Sequence, residues 1–262
     1  MHVKPKKSLG QNFLTDKNVQ RKLIASYNLG AGDYVLEIGA GYGELTKLIA
    51  HNVAFVYALE IDPGLCNTLR DSTKEYSNIK VINRDILKFD LKKYFKGLKA
   101  KIKALGNIPY YITSPIIEHL LKYRDKIETV FITVQKEFAK RIVADAGSKK
   151  YGSFSCFVQY YSIPKIIFLI KRNSFSPAPK VDSCLLELKV REAPAVKVKD
   201  EKLLFKVIRA CFNKRRKTLR NSLDGIVPSG KLSDFFKENN IDINIRPEDL
   251  ELKDFARLIN SI

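Results

Sequence analysis

What this chain has little of narrows its chemistry first. Its 262 residues hold four cysteines and three histidines. Cys66, Cys156, Cys184 and Cys211 form no CxxC pair, and His2, His51 and His119 are equally scattered. Disulfide frameworks and metal sites need such residues in recognisable spacings, so reduced thiols and no bound metal are expected. No apolar run approaches the roughly 18 residues that cross a bilayer, and the start Met-His-Val-Lys-Pro-Lys-Lys has no apolar segment behind it. A cytoplasmic protein without membrane contact is expected. Acids are scarce too, 28 against 47 Lys and Arg, for a formal net charge of +19. Self-repulsion of that size opposes compaction. A polyanionic partner accounts for it; a lysine-rich composition inherited from the genome is the plainer alternative.

The rest of the composition, 45% hydrophobic and 29% charged, describes a soluble globular chain long enough for one large domain and a small one. Apolar runs at 34–38, 54–59, 79–82, 102–105 and 129–134 alternate with helical periodicity. That order predicts an α/β fold, a doubly wound and mostly parallel sheet of the Rossmann-like type. Runs at 165–170 and 183–190 flank a proline-rich turn and predict a hairpin-like end to the sheet. Past Val190 the segment 191–200 looks like a linker, and helical periodicity dominates from Glu201 onward. The expected domains are therefore 1–190 and an all-helical 191–262. There is no internal repeat, heptad pattern or obvious sticky edge, which predicts a monomer.

The first chemical signal is Glu37-Ile38-Gly39-Ala40-Gly41-Tyr42-Gly43, at the junction of a strand and a helix. Gly39 and Gly41 let backbone approach a ligand, and the helix start offers free N–H groups. The spacing is GxGxG, not the dinucleotide GxGxxG, and no GK[ST] follows to make a phosphate loop. Glu60 ends the next apolar run, where an acid can accept from two ribose hydroxyls. Asp85 ends the third and can meet an adenine edge. Each acid alone is more often a helix cap or solvated turn than a ligand contact; in register with the glycines they suit an adenosine-containing ligand without a diphosphate.

The second signal, Asn107-Ile108-Pro109-Tyr110, falls where the fourth parallel strand delivers its carboxyl end to the same crevice. An adenine amine is a poor nucleophile because its lone pair is delocalised into the ring. The Asn107 side-chain oxygen and the carbonyl preceding Pro109 can both accept from that NH2, favouring a pyramidal nitrogen aimed at a methyl donor. Tyr110 offers a face for a base lifted from its stack. Phe175, held by the prolines of Phe175-Ser176-Pro177-Ala178-Pro179, can sandwich the base from the other side; a core phenylalanine anchoring the loop fits the same sequence.

These segments, with Gly10-Gln11-Asn12-Phe13-Leu14, Lys180-Val181-Asp182-Ser183 and Arg215-Arg216-Lys217-Thr218-Leu219-Arg220-Asn221-Ser222-Leu223, make the chain resemble the KsgA-type ribosomal RNA adenine dimethyltransferases over essentially its full length. Ala40 stands where relatives often carry proline and Ile108 where leucine is common; neither removes a group with an assigned role. The resemblance implies S-adenosylmethionine as methyl donor, held by Asn12, Leu14, Gly39, Glu60, Asp85 and Asn107. It also implies a substrate of two adjacent adenosines in a hairpin near the 3' end of small-subunit ribosomal RNA, within an immature small subunit. Without it, Asn12 reads as a plain amino-terminal loop.

Charge placement points to the RNA contact. Residues 209–220 carry Arg209, Lys214, Arg215, Arg216, Lys217 and Arg220 with no acid, and the spacing predicts one helix burying Leu204, Ile208, Cys211, Leu219 and Leu223 on its other face. Guanidinium forks suit phosphate oxygens. A second cluster, Lys92, Lys93, Lys96, Lys99, Lys101 and Lys103, reads more simply as a solvated face. Two other functions share parts of the pattern: a resistance-type methyltransferase of large-subunit RNA, and a noncatalytic small-subunit assembly factor.

Overall fold

The computed structural model describes residues 10–213 and 217–262. Its strands are β1 (Phe13–Leu14), β2 (Tyr34–Ile38), β3 (Phe55–Glu60), β4 (Ile79–Asn83), β5 (Ile102–Gly106), β6 (Ile127–Gln135), β7 (Ser162–Ile170), β8 (Phe175–Ser176) and β9 (Ser183–Val190). Seven of them form one sheet in the order β4-β3-β2-β5-β6-β9-β7. β2 pairs in parallel with β3 and β5, β3 with β4, and β5 with β6. β9 runs antiparallel to β6. Strands covered on both faces must be apolar nearly throughout, and Tyr-Val-Leu-Glu-Ile of β2 buries every residue from Val35 to Ile38.

The chain winds outward from β2 to β4 and then returns to lay β5 on the other side of β2. That reversal opens a crevice at the carboxyl ends of the strands. α1 (Lys17–Ser26) precedes β2; the crossover helices are α2 (Glu44–Ala50), α3 (Pro63–Thr73), α4 (Leu91–Tyr94) and α5 (Thr113–Lys122), with α6 (Lys136–Ile142) after β6. Their starts are written in the sequence. Asp16 accepts from Asn18 and Val19 N, Asp62 from Gly64 N ahead of Pro63, and Asp90 from Lys93 N. Leu23 of α1 and Tyr27 just after it, Ile49 of α2 and Leu69 of α3 join Val35, Val56, Ala58 and Leu105 in one core cluster.

β1 and β8, distant in sequence, pair antiparallel as a separate ribbon, with Phe13 opposite Ser176 and Leu14 opposite Phe175. It pins the amino-terminal segment beside the crevice. Thr15 and Asp16 N both donate to Ser174 O, at 2.9 and 3.3 Å, and Ser174 Oγ donates to Asp16.

Two compact units emerge: residues up to Ala139 with Ile163–Val190, and Lys140–Ser162 with Arg191–Ile262. The sequence pattern predicts a single cut at Val190; the structure groups 140–162 with the carboxyl-terminal helices. The cause is α7 (Ser153–Tyr161), whose Phe157 and Tyr160 rings pack on Phe205 and whose Tyr161 hydroxyl donates to Glu201 at 2.5 Å. Beyond it lie α8 (Glu201–Asn213), α9 (Leu219–Ser222), α10 (Ser229–Glu238) and α11 (Leu252–Ser261).

The single helix expected through residues 209–220 is two. α8 is described as far as Asn213, and Thr218 is extended, its hydroxyl accepting from Asn221 N to cap α9, while Leu219 N donates to Ile245 O. The apolar face is as expected, with Leu204, Ile208, Cys211, Leu219 and Leu223 all fully buried. Among the described residues no helix is long and apolar enough to cross a membrane, and no group of three His, Cys, Asp or Glu could hold a metal ion.

Candidate active site

The crevice is built from the loop after β2. Gly39 and Gly41 adopt φ of +75° and +57°, a region that costs an L-residue about 1–2 kcal/mol. A Cβ on Gly41 would also stand 3.2 Å from the Phe13 ring. The loop is tied down by Gly39 N donating to Leu59 O and Gly41 N donating to Glu60 Oε2, at 2.8 and 3.0 Å. Glu60 Oε1 accepts from Ile61 and Asp62 N at 2.9 and 3.0 Å. A carboxylate offers about four acceptor positions, so Glu60, only 4% exposed, is held at three points with one left for a ligand. Asp85 Oδ1 caps the turn Ile86–Lys88 through Leu87 N, which leaves Oδ2 to a ligand. Cap and ligand contact are thus compatible in one side chain.

Asn107 follows β5 at the same sheet edge. Its Nδ2 donates to Asn12 O at 3.1 Å, and Asn12 Nδ2 in turn donates to Gly10 O at 3.1 Å. The amino-terminal segment therefore fixes which way the Asn107 amide points, with Oδ1 kept as an acceptor. Asn12, Gly39, Gly41, Glu60, Asp85, Asn107, Pro109 and Tyr110 all line one cleft. Leu14 does not. It borders an adjoining cavity that shares Gly39, Gly41 and Asn107 with the cleft. Its side chain is buried in the core, and its carbonyl accepts from Gln20 Nε2.

Phe175 is corrected. It is 4% exposed, sits in the core cluster and lines neither cavity. Side chains alternate along a strand; in β8 Ser176 turns to the cavity and Phe175 turns inward. Tyr110 is half-buried beside the cleft, its hydroxyl 2.5 Å from Ser183 Oγ. Burial raises its phenol above the ordinary tyrosine range. Tyr111, next in the chain, stands 68% exposed at the mouth.

Sequence reasoning gives Glu37 no role; the structure places it beside the site. It is 4% exposed, lines the adjoining cavity, and its Oε2 has no hydrogen-bond partner. Burial pushes its carboxyl up to about 8 and Glu60 adds to the rise, while Thr46, too poorly placed to close a hydrogen bond, offsets part of it. The signal was available: one acid inside an otherwise apolar strand.

Of the basic residues, Lys214, Arg215 and Arg216 lie outside the described residues, while Lys217 and Arg220 are exposed in the second unit. In the lysine cluster Lys103 is structural, its Nζ donating to Asn28 O and Asp33 Oδ2 at 2.6 and 2.7 Å. Lys92 pairs with Asp125 at 3.3 Å.

The family model described as ribosomal RNA adenine dimethylase matches residues 2–262. "Ribosomal RNA small subunit methyltransferase A" of Streptococcus gordonii is 43% identical across 98% of this chain and 91% of its own length. The protein of the same name from Streptococcus sanguinis is 42% identical over the same shares. Among solved structures, a dimethyladenosine transferase from Plasmodium falciparum superposes with a TM-score of 0.81 at 25% identity, covering 94% of this chain and 95% of that one. The 23S rRNA methyltransferase ErmE gives 0.76 at 26%, covering 95% and 99%. A glycine loop, two strand-end carboxylates and an Asn-Ile-Pro-Tyr turn meeting in one crevice, on a chain matched from end to end, place this protein in the ribosomal RNA adenine dimethylase family.

Proposed function

We propose that this chain methylates the exocyclic amines of two adjacent adenosines in the hairpin near the 3' end of small-subunit ribosomal RNA, with S-adenosylmethionine as donor, and yields dimethyladenosine. The single observation that carries the chemistry is the Asn107 amide, whose nitrogen is committed to Asn12 O and whose oxygen is left as the acceptor of a side chain that lines the cleft.

The residues present fit the donor. Glu60 retains one acceptor position for the ribose, Asp85 Oδ2 is placed for an adenine edge, and Ile61, 47% exposed in the cleft, offers an apolar face. The unpartnered oxygen of Glu37 suits the ammonium of the donor's amino-acid end. When bound, the donor supplies an electrophilic methyl on a sulfonium whose positive charge disperses as the methyl departs. Asn107 Oδ1 and the Ile108 carbonyl then accept from the adenine NH2 and draw its lone pair out of the ring. Tyr110 stacks on the extruded base and sets its plane. A preorganised, half-closed pocket does most of the work, and no strong base is required. The amine proton leaves to solvent after transfer.

Lys217 and Arg220 contribute phosphate contacts in this reading, with the neighbouring basic residues 214–216. It extends to an immature small subunit as the particle recognised, and to a cytoplasmic monomer. The full-length relatives named small-subunit methyltransferases favour this target over large-subunit RNA. The test is incubation with labelled S-adenosylmethionine and either unmethylated small subunits or large-subunit RNA, with modified bases mapped by mass spectrometry. Dimethyladenosine at adjacent positions in the 3' hairpin is expected. Label confined to large-subunit RNA overturns the target, and salt-sensitive particle binding without transfer overturns the enzyme.

A further inference from the structure

Tyr110 works as a stacking surface only if its plane is fixed, and its backbone does not fix it. The residue begins a single 3-10 turn, Tyr110–Ile112, that lies between β5 and α5 and receives no side-chain cap. The turn's backbone does not by itself set the plane of the half-buried ring. What sets it is at the other end of the ring, where the hydroxyl meets Ser183 Oγ at 2.5 Å.

Ser183 is an unusual place for a hydroxyl. It is fully buried, the first residue of β9, and paired in register with Gln135 of β6. β9 is antiparallel to β6, so its amino end arrives at the sheet edge where β5 and β6 deliver their carboxyl ends. The preceding residue is anchored as well: Asp182 O accepts from Lys136 N, and Asp182 Oδ1 accepts from Arg172 N. The serine is therefore a rigid post. A buried hydroxyl without a partner is costly, and the partner this one has is Tyr110.

The geometry points to Ser183 as a positioning residue for base capture: its hydroxyl pins the Tyr110 phenol, so the ring is held at both ends when the adenine arrives. This rests on the reading of Tyr110 as the stacking platform. It also gives the end of the Phe175-to-Ser183 segment a task that Phe175, turned into the core, does not perform. The segment reaches the site through its last residue.

The test compares wild type with Ser183→Ala, Tyr110→Phe, the double variant and Tyr110→Ala, on unmethylated small subunits, reading kcat, KM for the particle and S-adenosylmethionine affinity by calorimetry. Loss of one buried hydrogen bond that orients a reacting group predicts a fall in kcat on the order of tenfold for Ser183→Ala and for Tyr110→Phe. Particle KM stays at the wild-type value because the phosphate contacts are untouched, and donor affinity stays so in Ser183→Ala because Ser183 lines neither the cleft nor the adjoining cavity. The double variant falls no further than either single one, since both delete the same interaction. A double variant whose loss is the product of the two singles overturns the inference, as does a Ser183→Ala enzyme with wild-type kcat. Tyr110→Ala separates this failure from that of the site. If it lowers kcat while the two hydroxyl deletions do not, only the role of Ser183 falls; if it leaves kcat unchanged, the platform reading falls with it.

Discussion

Glu37 should make donor binding expel a proton. Its carboxyl is buried beside the cavity that adjoins the cleft and pushed up to about 8, chiefly by burial. At pH 7 the free protein therefore carries it about nine-tenths protonated, since each pH unit below the midpoint changes the ratio tenfold. An ammonium can be paired only by the ionised form, so donor binding at pH 7, where the donor's own α-amine is mostly protonated, displaces a proton from Glu37. Apparent affinity then climbs close to tenfold from pH 6 to pH 7, below the range in which the donor's own amine loses its charge. Calorimetry at pH 7 in buffers of low and high ionisation enthalpy reads the proton count directly from the difference in apparent binding enthalpy. Glu37→Gln keeps the shape and removes this titration: its binding is flat from pH 6 to pH 7 and weaker at pH 8 by about tenfold to a hundredfold, the worth of a charged hydrogen bond. Equal enthalpies in both buffers, or a Gln variant that binds like wild type at pH 8, would refute the assignment of Glu37 to the ammonium.

The same carboxyl governs the stability of the free protein. Its folded midpoint of about 8 lies above the ordinary 4.5, so between those values the folded state holds more protons than the unfolded one. Stability is highest below pH 4.5 on this account and falls as pH rises towards 8, by an amount on the order of 5 kcal/mol; denaturant midpoints of Glu37→Gln should lose that slope. Asn107→Ala removes the acceptor that faces the adenine amine and should lower kcat at least about a hundredfold, the scale of one preorganised polar group, while filter binding to the particle is unchanged; transfer at the wild-type rate would rule out the mechanism. Gly41→Ala imposes a side chain at positive φ against the Phe13 ring and should weaken donor binding about tenfold, measurable by equilibrium dialysis. Replacing Lys217 and Arg220 together by alanine should reduce the slope of log affinity against log salt by about 0.7 to 0.9 for each phosphate that is no longer neutralised; an unchanged slope would remove both from the RNA interface.

The sheet was legible because its signal is local. Apolar runs ending in Gly39, Glu60, Asp85 and Asn107 announce parallel strands, and parallel strands with crossover helices put their ends side by side. Contacts that join distant segments were not legible. β1 and β8 are two residues each and carry no period to detect. Phe175 was ambiguous for the same reason: only its pairing opposite Leu14 decides which face it takes. The grouping of residues 140–162 with the carboxyl-terminal helices depends on Phe205 and Glu201 meeting α7, a separation that no window spans. The break before Thr218 was readable in principle, since Thr is a good N-cap, but the unbroken apolar face from Leu204 to Leu223 concealed it.

What unites the site is a division of labour in which each group that faces the adenine or the ribose is held by a different group behind it. Asn107 presents an oxygen because Asn12 takes its nitrogen; Glu60 keeps a free lone pair because three backbone N–H groups fix the others; Tyr110 presents a face because Ser183 takes its hydroxyl. Such an arrangement suits a reaction whose nucleophile is weak and whose charge is spread rather than created. A strong base would protonate and deprotonate with conditions, whereas carbonyl and amide oxygens accept over the whole physiological range. The exception is Glu37, whose Oε2 has no group behind it to hold it. Its charge is therefore supplied only when a cation arrives, and that is the reason donor capture, and not the methyl transfer that follows it, should carry the pH dependence of this protein.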